Sequence, residues 1–285
     1  MDARRRLREN KNLTPTEAQL ARTILAMGER VQDTSIKELA HASATSIATV
    51  HRLCKKLGLE GYKELKVALA RAAEHDRAGQ EVNFDFPFDA GWGADRVAAS
   101  LQSLYASAIQ ETLETLGQDQ LARAAALLGA SREVDIYTES HNLYPAQMFV
   151  DRLLSVGRLA TCHESEERKI RTALASDKDH VAIYISYSGV TMFSQQLLPI
   201  LSRREVPTIM IGTAAAQRRN PGLAAYLLVG DSESTKHRIT QFASHISVQY
   251  VLDVLYGCVV SADYDASMGF IKQALPYVQK PGLGE

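Results

Sequence analysis

The chain has few of the residues from which extracellular and metal-binding proteins build their cross-links. Its three cysteines, Cys54, Cys162 and Cys258, fall in three different predicted elements, at spacings that suit neither zinc nor a disulfide. No continuous apolar run reaches 18 residues, and the first ten residues lack the hydrophobic segment of a secretory signal. We therefore expect free thiols in a reducing cytoplasm, no membrane span, and neither a metal site nor another cofactor.

Charge is nearly balanced over the whole chain but is unevenly distributed. Residues 1–77 hold 15 Lys and Arg against 10 Asp and Glu, a net charge of +5, and the remainder holds 17 against 23, a net charge of −6. A basic end on an acidic body is typical of a protein in which only one end meets nucleic-acid phosphate. At 285 residues and 46% apolar content, the chain is long enough for two domains with substantial cores.

Residues 34–57 combine two short helical patterns separated by a tight turn. In the second pattern Val50, Leu53, Cys54 and Leu57 share one face, which must pack on neighbouring helices and leaves a cationic face for a major groove. A solvated surface helix would carry the same charges, but the net positive charge of residues 1–77 favours DNA. The residues predicted to face DNA are Ser46, Ile47, Ala48, Thr49, His51, Arg52, Lys55 and Lys56.

Further helices complete an all-α N-terminal domain. Thr14 can cap a helix over 13–28, and Glu17 stands three residues later, where its carboxylate can bond back to the cap. Another amphipathic helix is predicted over 62–73, and Gly and Pro residues then interrupt the helical pattern. The predicted limits are a helix-turn-helix domain over 1–77, a linker over 78–95 and a second domain over 96–285.

The second domain alternates short apolar runs with helical patterns. Two helices are predicted over 94–116 and 118–130, and one long helix over 235–261. The alternation between them is typical of parallel strands with helices on both faces, a doubly wound three-layer α/β fold. The predicted strands are 133–138, 158–162, 180–186, 207–212 and 225–229.

The loop after the third predicted strand carries hydroxyl groups and a glycine, namely Ser186, Ser188, Gly189 and Thr191. Ligands of open α/β sheets bind beyond the carboxyl ends of strands, and neutral donors at a helix start suit a phosphate. An ordinary capped turn between a strand and a helix uses the same residue types, so a structural role stays open as the alternative.

Taken together, these features resemble the RpiR family of bacterial transcriptional regulators, in which a helix-turn-helix precedes a sugar isomerase (SIS) domain. The motifs that carry the resemblance are Leu13–Glu17, Ile36–Leu57, Gly61–Lys66 and Ser186–Thr191. The resemblance implies an operator-binding regulator whose SIS-like domain senses a phosphorylated sugar or related metabolite. It also implies that the chain acts as a homo-dimer or tetramer.

Two loops depart from the pattern of that family. Ala44 stands in the turn of the helix-turn-helix where the family usually has glycine, at a cost of about 1 kcal/mol if the turn needs positive φ. The first SIS loop, commonly Gly-x-Gly-x-Ser, here runs from Thr138 to Asn142 without glycine. Its side chains can still donate hydrogen bonds, and the segment after the last strand often lines the site in this family. The effector candidates added here are Ser140, His141, Asn142, Ser234, Lys236 and Arg238; the last three could instead only cap or flank a helix.

The alternative to a regulator is a sugar-phosphate isomerase, or another SIS enzyme, with an accessory N-terminal domain. Aldose–ketose isomerisation needs a general base near C1 and C2 of the sugar, and Glu139, His141, Glu233 and His237 are available. None of them has a partner at a spacing that assigns a catalytic role, and catalysis would not require a basic helix-turn-helix. We therefore predict a regulator without catalytic residues. A DNA-binding protein without an effector is disfavoured by the hydroxyl-rich loop.

Overall fold

The computed structural model describes Leu7 and residues 13–77, 82–190 and 194–278. The chain divides into two compact units, one comprising Met1–Asn83 and Pro87–Ser103, the other Phe84–Phe86 and Leu104–Glu285. The helices that precede the sheet are α1 (Pro15–Met27), α2 (Ile36–Ala42), α3 (Ile47–Lys56), α4 (Tyr62–Arg77), α5 (Ala94–Thr115) and α6 (Gln118–Ala130), with a 3₁₀ turn at Gly28–Gln32.

Local capping explains where the first two helices begin. The Thr14 hydroxyl accepts the Glu17 amide proton, and the Glu17 carboxylate accepts the Thr14 amide proton, which is the capping box predicted from the sequence. Ser35 and Glu38 repeat the arrangement at the start of α2. Helices α1 to α4 bury one shared apolar core, whose fully covered members include Leu20, Ile24, Val31, Leu39, Val50, Leu53 and Leu65.

The second unit is built on five parallel strands in the order β2-β1-β3-β4-β5. The strands are β1 (Glu133–Tyr137), β2 (Leu159–Cys162), β3 (His180–Ile185), β4 (Thr208–Gly212) and β5 (Ala225–Leu228). The helices between and after them are α7 (Leu143–Ser155), α8 (Glu166–Ala175), α9 (Ser194–Arg203), α10 (Ala214–Arg219), α11 (Ala243–Ala262) and α12 (Tyr264–Val278). The predicted doubly wound α/β domain is confirmed.

Alternate residues of each central strand supply two separate cores, because successive side chains of a strand point to opposite faces. On β3, Val181 and Ile183 join the core formed with α6, α7 and α11, whereas Ala182 and Tyr184 join the core formed with α8, α9 and α10. This arrangement gives the three layers.

A buried carboxylate lies within this sheet. Asp135 on β1 is 1% exposed, and its oxygens accept hydrogen bonds from the Thr161 hydroxyl at 2.9 Å, the Ser176 hydroxyl at 2.7 Å and His180 Nδ1 at 2.8 Å. Three donors compensate for the loss of water around the charge. These hydrogen bonds explain how the Asp135 carboxylate can be buried in the sheet.

The prediction of one long helix over 235–261 was wrong at its start. Residues 231–242 have no helical structure, and α11 begins at Ala243, where the buried Glu233 carboxylate caps it. The sequence places the cap ten residues before the helix, so no local start signal marks the boundary. Helix α12 follows as a second helix that was not predicted.

Helix α11 bears on the expectation that the chain has no membrane span, which was drawn from the lack of a continuous apolar run. By length and composition alone it is apolar enough to cross a membrane. Eight of its side chains, from Ala243 to Val259, are nevertheless buried in this unit. The apolar length is therefore used in the core of the sheet domain.

Candidate DNA-binding and effector sites

Helix α3 packs as its periodicity predicted. The four residues of the predicted apolar face, Val50, Leu53, Cys54 and Leu57, are at most 2% exposed, and the Ser46 hydroxyl caps the helix by accepting the Thr49 amide proton at 3.2 Å. Burial raises the pKa of the Cys54 thiol to about 11. The thiol therefore acts as a small apolar side chain in the core.

Most of the side chains predicted to face DNA lie on the exposed surface of α3 and its start. The exposed members are Ser46, Ile47, Ala48, His51, Arg52, Lys55 and Lys56. Exposure of cationic and small side chains along one face is the geometry that a major-groove reader requires.

Thr49 is the member of the predicted set that does not fit a direct contact. Its residue is 4% exposed, and its hydroxyl lies 3.0 Å from the Ser46 hydroxyl and accepts a hydrogen bond from Arg52 Nη2 at 3.2 Å. The three side chains form a row along the helix. Thr49 therefore orients Arg52 from within the helix instead of presenting its own side chain.

Lys56 makes an ion pair that the sequence did not reveal. Its Nζ lies 2.6 Å from Glu17 Oε2, which also serves the capping box of α1. Hydrogen bonds from Lys56 and Thr14 hold the pKa of the Glu17 carboxyl at about 2, below its ordinary 4.5. Because the partners are 39 residues apart, no local pattern predicts the pair. Lys56 thus links α1 to the last turn of α3.

The turn between α2 and α3 contains the expected backbone irregularity. Ala44 has φ of 51°, so this position needs the left-handed conformation that glycine adopts without strain. The amide of Thr45 donates to the Ala40 carbonyl at 2.8 Å, which closes the end of α2 around that residue. The alanine therefore carries the strain that the sequence comparison with the family anticipated.

In the second unit, the two candidate loops lie side by side at the point where the strand order reverses. Strands β1 and β3 are neighbours, with Tyr137 paired to Tyr184, and their connections leave toward opposite neighbours, β2 and β4. The Thr138 hydroxyl donates to the Ile185 carbonyl at 3.2 Å, which joins the starts of the two loops. Such a switch point forms the crevice in which doubly wound sheets bind ligands.

The loop after β3 uses its glycine for packing. Gly189 has φ of 69°, and a Cβ there would lie 2.7 Å from the Ala216 Cα of α10. Ser186 accepts the Gly189 amide proton at 3.1 Å, and Asn220 donates to the Gly189 carbonyl at 2.9 Å. Packing against α10 therefore accounts for a glycine at this position, and its predicted contact with an effector stays a prediction. Thr191, the last predicted member of the loop, lies outside the described residues.

The loop after β1 is strained and carries polar atoms without partners. Ser140 has φ of 57°, an uncommon value for a residue with a side chain. Both ring nitrogens of His141 and the Oδ1 of Asn142 are buried without a hydrogen-bond partner. Burial, with smaller contributions from Arg238 and His245, lowers the pKa of His141 to about 4. Its imidazole is therefore neutral near pH 7.

The segment 231–242 folds around one buried carboxylate. Glu233, 2% exposed, accepts the amide protons of Phe242 at 2.8 Å and Ala243 at 2.9 Å, and its other oxygen accepts from the amide and hydroxyl of Ser244. The Arg238 guanidinium lies 2.6 Å from the same carboxylate. A base held in this way has no free position from which to take a proton from a sugar.

This segment gives its three predicted effector residues different roles. Arg238 is paired with Glu233, which gives its charge a structural role, and its predicted contact with an effector stays a prediction. Ser234 Oγ accepts the amide protons of Lys236 and His237, which closes a turn, and the Lys236 side chain is exposed. The exposed Lys236 side chain can therefore still contact an effector, as predicted.

Two residues near these loops were not predicted. Asp85 accepts the Ser234 amide proton at 2.6 Å with its side chain and the Ile239 amide proton at 2.9 Å with its carbonyl. Lys169 on α8 is 4% exposed, and its Nζ donates to the Thr138 carbonyl at 2.6 Å. The sequence does contain a signal for Lys169: it stands four residues before Ala173, on the buried face of α8.

Within residues 13–77, 82–190 and 194–278, no group of three or more His, Cys, Asp or Glu is placed to hold a metal ion.

The sequence relatives are helix-turn-helix regulators. Residues 4–75 match the helix-turn-helix domain of the rpiR family. An HTH-type transcriptional regulator of Caldanaerobacter subterraneus is 27% identical over 266 residues, which cover 92% of each chain. The HTH-type transcriptional regulator YbbH of Bacillus subtilis is 24% identical over 270 residues, which cover 94% of this chain and 93% of that one.

Two solved structures share the fold. The Vibrio vulnificus NanR protein, complexed with ManNAc-6P, matches with a TM-score of 0.58 and 20% identity over 97% of this chain and 98% of its own. The sugar isomerase domain of an RpiR transcription factor from Sphaerobacter thermophilus matches with a TM-score of 0.56 and 12% identity over 63% of this chain and 98% of its own. Both likenesses confirm the predicted fold class.

Proposed function

Because the chain is a helix-turn-helix transcriptional regulator of the RpiR family rather than an enzyme, we propose that α3 reads an operator while the SIS-like domain binds a metabolite. In this proposal a phosphorylated sugar or related metabolite changes the affinity of the protein for that operator. The ligand can do so only by its differential affinity for two arrangements of the protein, typically about 1–3 kcal/mol.

The exposed face of α3 is the observation that carries the DNA-binding proposal. His51, Arg52 and Lys55 are exposed above a fully buried apolar face, so they are free to approach base edges and phosphates. We propose Arg52 as the base-reading side chain, oriented by Thr49, and Lys55 as a phosphate contact. Lys56 contributes by fixing the helix through Glu17.

For the effector, we propose the crevice between the loops after β1 and β3. Its place at the switch point of the sheet supports this choice, as does the solved complex of the NanR neighbour with a phosphosugar. The proposed ligand-contacting residues are Ser140, His141, Asn142, Ser186, Ser188, Thr191, Ser234 and Lys236.

The remaining proposals concern organisation. We propose the domain limits predicted above, with a helix-turn-helix domain over 1–77, a linker over 78–95 and an effector domain over 96–285. We also propose a cytoplasmic homo-dimer or tetramer, because two copies of α3 about 34 Å apart would read half-sites one turn of the duplex apart.

DNA binding is tested by selecting fragments of the source genome with the purified full chain and measuring affinity at several salt concentrations. We expect a selected motif and an affinity that falls with salt. Arg52→Ala should lose about 1–3 kcal/mol of discrimination at one base pair, whereas Arg171→Ala, on an exposed face of α8, should behave as wild type. Absence of any salt-sensitive, sequence-selective binding would refute the regulator proposal.

The effector site is tested by a thermal-shift screen of phosphorylated sugars, including ManNAc-6P, followed by DNA-binding assays with each ligand that shifts the melting temperature. Ser188→Ala and Thr191→Ala should weaken the response to the ligand and leave binding of DNA by the unliganded protein unchanged. Ser165→Ala, at an exposed position before α8, is the control. An undiminished response in both loop variants would place the ligand elsewhere.

A further inference from the structure

A cavity of about 200 Å³ lies at the end of the sheet opposite the effector loops. Its walls come from the end of α6 and from the starts of β1 and β2, and the residues that shape it include Leu128, Arg132, Val134, Gly157, Arg158 and Leu159. The proposed effector crevice lies beyond the carboxyl ends of the strands, where doubly wound sheets bind their ligands. Because this cavity lies at the amino ends, it is a separate place in the same domain.

Two arginines line the cavity at the same level of the sheet. Arg132 directly precedes Glu133 of β1, Arg158 directly precedes Leu159 of β2, and Glu133 is paired with Leu159 in the parallel register. Neighbouring strands lie about 4.8 Å apart, so the two arginines leave the backbone close together. Like charges brought together on adjacent strands are unfavourable, and an anion between them compensates for this.

The Arg158 guanidinium is fixed at the cavity wall with part of its donor capacity unused. Its Nη1 donates to the carbonyl of Leu128 at 3.1 Å and to that of Gly129 at 3.3 Å, at the end of α6. Arg158 is half-buried, and its Nε and Nη2 have no acceptor among the residues that the structure describes. A guanidinium fixed through one nitrogen offers the other two to a carboxylate, in the two-point geometry that arginine favours.

Arg132 adds a second positive charge, which its neighbours compensate only weakly. Its Nη2 lies 2.8 Å from His180 Nε2, and because arginine can only donate, this ring nitrogen accepts. The Asp177 carboxylate is 3.6 Å from Arg132, but the two side chains are 61% and 44% exposed, so water screens the pair. Glu133 belongs to the opposite face of the sheet from Val134, which lines the cavity, because successive side chains of a strand alternate.

The other side chains around the cavity are mostly aliphatic. Leu128 and Val134 are at most 1% exposed, and Leu159 is 59% exposed. A hydrated inorganic anion gains nothing from such walls, whereas a hydrocarbon tail leaves water when it contacts them. A volume of about 200 Å³ lies below the range of drug-sized sites and suits a ligand of fewer than about ten non-hydrogen atoms.

We propose that this cavity binds a small aliphatic carboxylate. The carboxylate accepts hydrogen bonds from Arg158 Nε and Nη2, and the hydrocarbon tail packs against Leu128 and Val134. Arg132 contributes positive charge to the same site. The cavity is thus a second ligand site of the sheet domain, independent of the proposed effector crevice.

The test titrates the full chain with 3-methylbutyrate, its neutral analogue 3-methylbutanamide, acetate and inorganic phosphate, using isothermal titration calorimetry and saturation-transfer NMR. We expect 3-methylbutyrate to bind with a Kd of about 1 mM or lower, which is within reach of its seven or so non-hydrogen atoms. The amide lacks the charge, and acetate and phosphate lack the tail, so each should bind about tenfold more weakly or worse.

Two pairs of variants locate the binding site. Arg158→Met should weaken 3-methylbutyrate about tenfold or more, the loss expected for hydrogen bonds to a charged group, and Arg171→Met, at an exposed arginine of α8, should bind as wild type. Because Arg158 also holds the end of α6, a second variant leaves it in place. Leu159→Glu puts a carboxylate beside Arg158 at an exposed position, so it should displace the ligand without disturbing the fold. Leu174→Glu, at a leucine of α8 that is 54% exposed, is its matched control.

Three outcomes overturn the proposal: 3-methylbutyrate does not bind, the amide or inorganic phosphate binds as tightly, or Leu159→Glu leaves binding unchanged. Binding that survives in Leu159→Glu and is lost in Ser188→Ala would place the carboxylate in the effector crevice and overturn it as well. None of these results bears on the proposed regulator, because selection of DNA and the response to phosphorylated sugars are measured independently.

Discussion

In the N-terminal unit the side chains of His51, Arg52 and Lys55 lie exposed along α3, whereas in the second unit the Glu233 carboxylate and the Arg238 guanidinium are largely buried in contact with each other. Exposed charges keep their hydration and contribute little to stability. A buried pair is different, because removing one partner leaves an uncompensated charge. The exposed residues of α3 can therefore be substituted with little loss of stability, while the segment 231–242 depends on the Glu233–Arg238 pair for its fold.

The largest effect is expected at the carboxylate that organises residues 231–242. Glu233→Ala leaves Arg238 buried without its partner and the start of α11 uncapped, so the free energy of unfolding should fall by about 3–5 kcal/mol. Urea denaturation of the full chain, followed by circular dichroism, measures the change. The exposed Glu164→Ala should stay within about 0.5 kcal/mol of wild type. If the two variants are equally stable, buried charge does not distinguish the second unit.

The half-buried ion pair between Glu17 of α1 and Lys56 of α3 should behave like the Glu233–Arg238 pair of the second unit, on a smaller scale. Lys56→Met removes the charged hydrogen bond to Glu17, and we expect a loss of about 1–2 kcal/mol, reduced because the lysine side chain is 38% exposed. Differential scanning calorimetry of the full chain measures it. The control is Lys55→Met, at an exposed neighbour on the same helix, which should leave the melting temperature nearly unchanged.

The same pair predicts a dependence on acid. The Glu17 carboxyl has a pKa of about 2 in the folded chain and about 4.5 in the unfolded chain, so it binds protons more weakly when folded. Its stabilisation is therefore fully present above about pH 4.5 and declines as the pH falls toward 2. The stability difference between wild type and Lys56→Met should shrink over that interval. A difference that stays constant with pH would contradict the assignment.

A smaller effect is expected for the side chain that orients Arg52. Thr49→Val removes the hydroxyl that accepts from Arg52 and keeps the volume, so DNA affinity should fall about fivefold, corresponding to about 1 kcal/mol. Binding to the selected DNA motif is the measurement, with unfolding followed in parallel to confirm the fold. Thr49→Ser, which restores the hydroxyl, should recover the affinity. Equal affinity of the valine and serine variants would remove Thr49 from the recognition mechanism.

The smallest effect concerns backbone strain in the turn before α3. Ala44→Gly should stabilise the chain by about 0.5–1 kcal/mol, because glycine adopts the observed φ of 51° without steric cost. Ala42→Gly, inside the exposed end of α2, should destabilise it by a similar amount. Thermal unfolding of both variants would show opposite signs, and the same sign for both would exclude strain as the cause.

Signals confined to neighbouring residues allowed much of the fold to be predicted. The Thr14–Glu17 capping box, the apolar face of α3 and the alternation of strands and helices each depend on contacts within a few positions, so their spacing in the sequence is informative. The position of Ala44 in a left-handed turn was likewise expected from local comparison.

The parts that sequence reasoning missed depend on contacts between distant residues. Glu17 meets Lys56, and Glu233 caps a helix that begins ten residues later, so neither charge reveals its partner through spacing. The role of Gly189 was predicted from the residues of its own loop, whereas the structure packs it against Ala216 of α10. The individual site residues remain proposals, because a side chain exposed or unpartnered in one chain does not by itself identify what it binds.

Two of the hydrogen bonds in which Asp85 takes part have a mechanical consequence. Residue 85 lies two positions after Asn83, where the first segment of the N-terminal unit ends, and it holds the backbone at Ser234 and Ile239. A ligand that rearranges the stretch between those two amides must either drag Asp85 along or break its bonds. The chain that leaves the first segment of the N-terminal unit is thus tethered, within two residues, to the segment 231–242.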